Sequence, residues 1–182
     1  MNTLILQATP MAQWYTLVGE AEQANAVHLS TDLESYIVFL LMRFSKQPEL
    51  AAKIFAFEFL EALQNAEGGR RKDLLQAVGD ECLLYSGLFP EQALRRHVKV
   101  SYFVDVGRNA YAMLEGELFN QLSQFFVTMM DILQTMRDLS GNSLLSPLQA
   151  EELWSDTGSQ RARKILEGYL VGKQKLIMPI KK

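Results

Sequence analysis

The sequence predicts an all-α fold: one compact bundle of about six to eight helices with a central helix near residues 118–139. Three observations carry that prediction. First, Leu118, Leu122, Phe125, Met129, Ile132, Met136 and Leu139 follow one another at steps of four and three, a spacing that stacks side chains along one helix face. Phe119, Phe126, Met130 and Leu133 run beside that line and widen it, as expected of a helix with neighbours on two sides. Second, the same stepping recurs through Val100, Val104, Gly107, Tyr111 and Leu114, and through Leu33, Ile37, Leu40 and Phe44. Third, only residues 98–106 alternate with period two, and a strand there would place Phe103 on the polar side and leave few partners for a sheet. Helix is the preferred reading of that stretch, with strand as its alternative.

In chain order, residues 11–25 read as a first helix with Met11, Trp14, Leu17, Val18 and Ala21 on one side. Thr31 and Glu34 have capping-box spacing, and Asp32 and Glu34 suit the positive end of a helix dipole, so a second helix is expected to residue 45. Pro48 and Glu49 open a third to residue 65. That helix is apolar on two sides: Phe55, Phe59 and Leu63 fill one arc, whereas Leu50, Ile54 and Phe57 lie opposite among Lys53, Glu58 and Glu61. Leu50, Ile54 and Phe57 are therefore expected at an interface. Gly68-Gly69 separates it from a helix through Leu74, Leu75, Val78, Cys82 and Leu83 to Tyr85, and Ser86 to Pro90 punctuates its end. After the central helix, Ser140 to Ser143 make a break. Ser146, Pro147 and Gln149 cap a short helix with Leu153 and Trp154, and another spans residues 159–170. The domain is expected to cover residues 1–172. Residues 173–182 then form a basic and apolar tail, because Pro179 stops a regular helix.

With 182 residues, 48% hydrophobic and 21% charged, the chain has the size and balance of one globular domain rather than a disordered segment. Its longest uncharged apolar run, residues 36–42, is far shorter than the roughly 20 residues of a membrane span. The start of the chain lacks the pattern of a secretory signal, and one cysteine excludes an internal disulfide, so a cytoplasmic protein is expected. Charge is uneven. Residues 161–182 hold seven Lys or Arg against one acid, +6, and the other 160 residues hold 11 basic and 20 acidic groups, −9. A basic end attracts an anionic surface, nucleic acid, a protein partner or the acidic body itself.

Chemical motifs are sparse. Two histidines, His28 and His97, and no Glu-x-x-His pair give no metal-ligand spacing, and no cofactor is expected. Gly68-Gly69-Arg70-Arg71-Lys72 has the composition of an anion cradle without the strand and spacing of a phosphate loop. Cys82 sits among apolar neighbours, the setting of a buried thiol rather than a nucleophile. Between Cys82 and Tyr111 lies the densest set of reactive side chains. There His97, Ser101, Asp105 and Arg108 follow one another at helical spacing.

The reading that follows is a non-enzymatic, protein-interacting helical module acting as a homodimer. The alternative is an enzyme or small-ligand binder with a pocket lined by Tyr85, His97, Tyr102, Asp105, Arg108 and Tyr111. Nucleic-acid binding, the least favoured class, requires Arg95, Arg96, Arg161 and Lys164 to form one patch.

Overall fold

The computed structural model of the chain describes residues 9–46, 64, 67–95, 98–141 and 145–177. All regular structure among them is helical, as the periodicity predicts. The helix expected at residues 48–65, with Leu50, Ile54 and Phe57, lies outside the described residues, apart from Gln64.

Helix α1 spans Pro10–Asn25; the Thr9 hydroxyl accepts from the Ala12 N–H at 3.2 Å and Pro10 supplies the preset first turn. It stops at Ala26, which takes the left-handed conformation at φ 54° and donates back to the end of the helix. Helix α2 spans Thr31–Lys46. The capping residue is Ser30 rather than Thr31: its carbonyl accepts from the Glu34 N–H at 2.9 Å and its hydroxyl from the Leu33 N–H at 3.4 Å. Thr31 and Ser30 have the same capping chemistry one residue apart, so composition does not separate them.

Helix α3, Gly68–Leu88, is the most enclosed element, since every residue from Val78 to Gly87 is buried. It packs on α5, Val100–Ala112, and on α7, Phe126–Leu139. Short α4, Pro90–Arg95, turns the corner between α3 and α5. Residues 100–112 resolve as helix, with Val100, Val104, Gly107 and Tyr111 all facing inward as the stepping requires. Two glycines permit this packing. A Cβ on Gly107 would stand 2.6 Å from the Phe126 ring and 2.8 Å from Cys82 Cβ, and one on Gly79 would stand 2.5 Å from the Tyr111 ring.

The stretch expected as one central helix is two. Helix α6 covers Glu117–Gln124 and α7 begins at Phe126, with Phe125 at φ −95°, ψ 13° between them. The hydrogen-bond run survives the joint, because Phe125 donates to Gln121 at 2.9 Å and accepts from Met129 at 2.9 Å. What changes is direction: α6 packs on α5 and α2, whereas α7 packs on α3 and α1. In consequence Phe125 is turned outward, 45% exposed, and Phe126 is fully enclosed. The core line of α7 is therefore Phe126, Met129, Met130, Ile132, Leu133 and Met136.

Helix α8, Pro147–Thr157, has the expected capping box. The Ser146 hydroxyl accepts from the Gln149 N–H at 3.3 Å and the Gln149 side-chain oxygen accepts from the Ser146 N–H at 2.9 Å. Gly158, at φ 75°, closes it. Helix α9 begins at Gln160 and runs to Ile177, beyond the expected stop near Leu170, so the boundary expected at residue 173 falls inside a helix.

Candidate functional site

The residues expected to line one pocket divide between interior and surface. Tyr85 and Tyr111 are enclosed in the core, Tyr85 against the Phe103 ring at 4.5 Å between centroids. Tyr102, Asp105 and Arg108 are exposed on the outer side of α5, and His97 lies outside the described residues. Tyr111 steps with Val104 and Gly107 on the buried side, and Tyr102, Asp105 and Arg108 follow each other along the opposite one.

Two buried polar networks absorb the ionisable groups of the core. In the first, Asp80 of α3 accepts from the Tyr36 hydroxyl at 2.6 Å, the Tyr111 hydroxyl at 2.7 Å and the Arg43 guanidinium at 2.5 Å, while Gln76 donates to the Tyr36 oxygen at 3.1 Å. Burial raises the Asp80 carboxyl, against the pull of Tyr36, Arg43 and Tyr111 toward the ionised form. Burial, reinforced by the Asp80 charge, raises the Tyr36 and Tyr111 phenols. Each oxygen of Asp80 has a donor, and through them the network joins α2, α3 and α5. Cys82, two residues away in sequence, is buried with its thiol pushed far up by burial and then by the Glu81 charge. It is a packing residue, not a nucleophile.

The second network fixes α9 to the body. Ser159, the residue before α9, donates to Asp131 of α7 at 2.6 Å and accepts from the Ala162 N–H at 3.1 Å; Asp131 also accepts from the Arg161 N–H at 3.3 Å. A carboxylate thus sits where the helix dipole is positive. Arg161, 6% exposed, donates to Gln134 at 2.8 Å and to Asp138, and Gln134 in turn donates to the Ser86 carbonyl at 2.9 Å. Arg161 is therefore internal. It cannot join Arg95, Arg96 and Lys164 in a solvent-facing patch, which removes one of the four residues that nucleic-acid binding requires.

Beyond this anchor α9 leaves the body. Its apolar stripe starts enclosed at Ala162, is half-buried at Ile165 and Leu166, and emerges at Tyr169 and Leu170, Leu170 being 64% exposed; Val171, exposed as well, stands on the other side of the helix. Arg163 and Lys164 flank the emerging stripe, Arg163 paired with Glu167 at 2.9 Å. On α8, Leu148 and Trp154 are also exposed. Neither Asp131 nor Ser159 stands out in the sequence, since each is a single polar residue and they meet across 28 positions. The emergence of the α9 stripe is equally invisible there, because periodicity marks an apolar face without saying where its cover ends.

No helix among the described residues is long and apolar enough to cross a membrane, and no group of three His, Cys, Asp or Glu among them could hold a metal ion. No family model, curated protein or solved structure matches the chain, so its functional reading rests on its own residues.

Proposed function

We propose that this chain is a cytoplasmic, non-enzymatic helical module that works through protein–protein contact, as a homodimer in which α9 of each protomer lies on the acidic body of the other. The observation that supports it is the emergence of the α9 stripe. A helix held by a buried arginine and a capping carboxylate presents Tyr169, Leu170 and Val171 to solvent past the edge of its own domain. Apolar side chains in a contiguous row cost solubility and mark a surface for covering. Charge favours a second copy as the cover. Apart from Arg161, the segment 161–182 keeps six basic residues against one acid, and the remaining 160 residues carry −9. Opposite charge steers and orients such an encounter.

Sedimentation of the full chain tests this reading. A dimer that dissociates on Leu170→Asp with Val171→Asp, at unchanged helix content, is the expected result, and added salt is expected to weaken it. A parent protein that stays monomeric at high concentration overturns the homodimer. Leu50, Ile54 and Phe57 form the other proposed face. Ile54→Asp with Phe57→Asp tests it separately, and a monomer from this variant alone would move the interface away from α9.

A further inference from the structure

A cleft of about 300 Å³ opens where the start of α5 meets α8, lined by Val98, Lys99, Val100, Ser101, Gln149, Glu152 and Leu153. Its volume is at the lower end of the roughly 300–1,000 Å³ typical of small-molecule sites. Three features of its wall are chemically specific. The N-terminus of α5, a 13-residue helix, has Lys99 at the capping position, and the Lys99 side chain makes no capping hydrogen bond, so the start of the helix brings the positive end of its dipole to the cleft without a cap from that residue. Gln149 is 9% exposed, and its side-chain nitrogen has no hydrogen-bond partner among the described residues. The assignment of that nitrogen is fixed by the capping box, in which the other amide atom must be the oxygen that accepts from the Ser146 N–H. Glu152, one turn along α8, brings a carboxylate to the same cleft.

A buried amide donor without an acceptor costs roughly 1–3 kcal/mol, and here it lies beside a helix end that also asks for an acceptor. The flanking side chains do not answer that need. Asp156 takes the Ser101 hydroxyl at 2.8 Å and the Lys99 ammonium at 3.3 Å, and this pairing neutralises Lys99, so the cleft is not a general anion trap. It offers donors on one side, a carboxylate on the other, and the apolar walls of Val98, Val100 and Leu153 between them.

We propose that this cleft binds a free α-amino acid with an apolar side chain, its carboxylate on the α5 N-terminus and the Gln149 amide, its ammonium on Glu152. The two charged ends of the zwitterion match the two sides of the cleft. A simple carboxylate leaves Glu152 unanswered and faces its repulsion, and a simple amine leaves Gln149 without an acceptor. The inference is independent of the dimer, since none of these residues belongs to the exposed part of α9.

The test is an NMR titration of the isotope-labelled full chain with L-leucine, L-leucinamide and isocaproate, which keep both charges, only the ammonium and only the carboxylate. L-Leucine is expected to shift the backbone amides of Val100 and Ser101 and the side-chain amide of Gln149, and to bind about tenfold or more tightly than either analogue. Gln149→Glu keeps the oxygen that the Ser146 N–H needs and removes the donor, so it is expected to retain helix content and lose leucine binding by about tenfold or more. Glu152→Gln, at the rim of the cleft, is expected to bring leucine down to the affinity of isocaproate. Cleft amides unmoved by millimolar leucine overturn the proposal. Equal shifts from all three compounds would reduce the cleft to an apolar hollow. Leucine binding that survives both substitutions would place the ligand elsewhere.

Discussion

Raising the pH should unfold this protein through three acids, Cys82 and Tyr111 buried and Tyr36 half-buried, whose ionisation the fold opposes. Cys82, Tyr36 and Tyr111 all have their proton affinities raised, in each case first by burial, with the Glu81 charge acting on the thiol and Asp80 on the phenols. In the unfolded chain the thiol ionises near 9 and the phenols near 10. The sign follows from proton counting. Above those values the unfolded chain has released protons that the folded chain still holds, so stability is full below about pH 9 and falls as pH rises. Each such group removes up to about 1.4 kcal/mol per pH unit above its ordinary value. At about pH 11 the thiol stands roughly two units past that value and each phenol about one, which together remove up to about 5 kcal/mol. Tyr36 is only half-buried, so its share is the smallest. Typical domains hold about 5–15 kcal/mol, so cooperative loss of helix is expected only at about pH 11 and above. The assay is circular dichroism followed with tyrosinate absorbance in one titration. Two phenols should ionise only together with the loss of helix, and Tyr111→Phe should remove one of them. If all six tyrosines of the chain titrate smoothly while helix content holds, the burial argument is refuted.

Urea melts check the remaining expectations. Met129→Ala should cost about 2–5 kcal/mol because the side chain is fully enclosed, and Phe125→Ala less than about 1 because its ring is turned outward; equal losses would restore a straight helix through the joint. Gly107→Ala should destabilise by about 1–3 kcal/mol despite the better helix propensity of alanine, since the added methyl meets the enclosed Phe126 ring and Cys82 Cβ. A gain in stability would mean that these neighbours yield. Arg161→Ala should cost about 1–3 kcal/mol by leaving the buried Gln134 oxygen unpaired and should loosen α9, read as faster amide exchange along α9 than along α3.

The fold was legible because burial and helical spacing are the same signal along most of this chain. Val104, Gly107 and Tyr111 share a face in sequence and a core in space, and the box at Ser146 and Gln149 is a local device that needs no tertiary information. The signal fails where direction changes without a change in composition. Across Phe125 and Phe126 two phenylalanines offer equal claims to the core, and only the shift of neighbours from α5 and α2 to α3 and α1 decides between them. It fails also for polar residues in the interior. Nothing in the spacing around Asp80 marks it as a core residue, yet two tyrosines and an arginine from α2 and α5 converge on it.

The candidate site follows the same rule. Chemical reactivity and closeness along the chain group Tyr85, His97, Tyr102, Asp105, Arg108 and Tyr111 in the sequence, but Tyr85 belongs to α3, and along α5 neighbouring positions turn Tyr111 inward and Tyr102, Asp105 and Arg108 outward. Gln149 and Glu152 are a helical neighbour pair that the sequence does not single out, and the role proposed for them arises only because the start of α5 lines the same cleft. A binding cleft at the meeting of two helix segments depends on a donor left without an acceptor, and that is a property of the assembled fold. Gln149→Glu is accordingly the most informative single change in the molecule: it preserves the oxygen that caps α8, which the sequence shows, and puts a carboxylate where the packing left a donor without an acceptor.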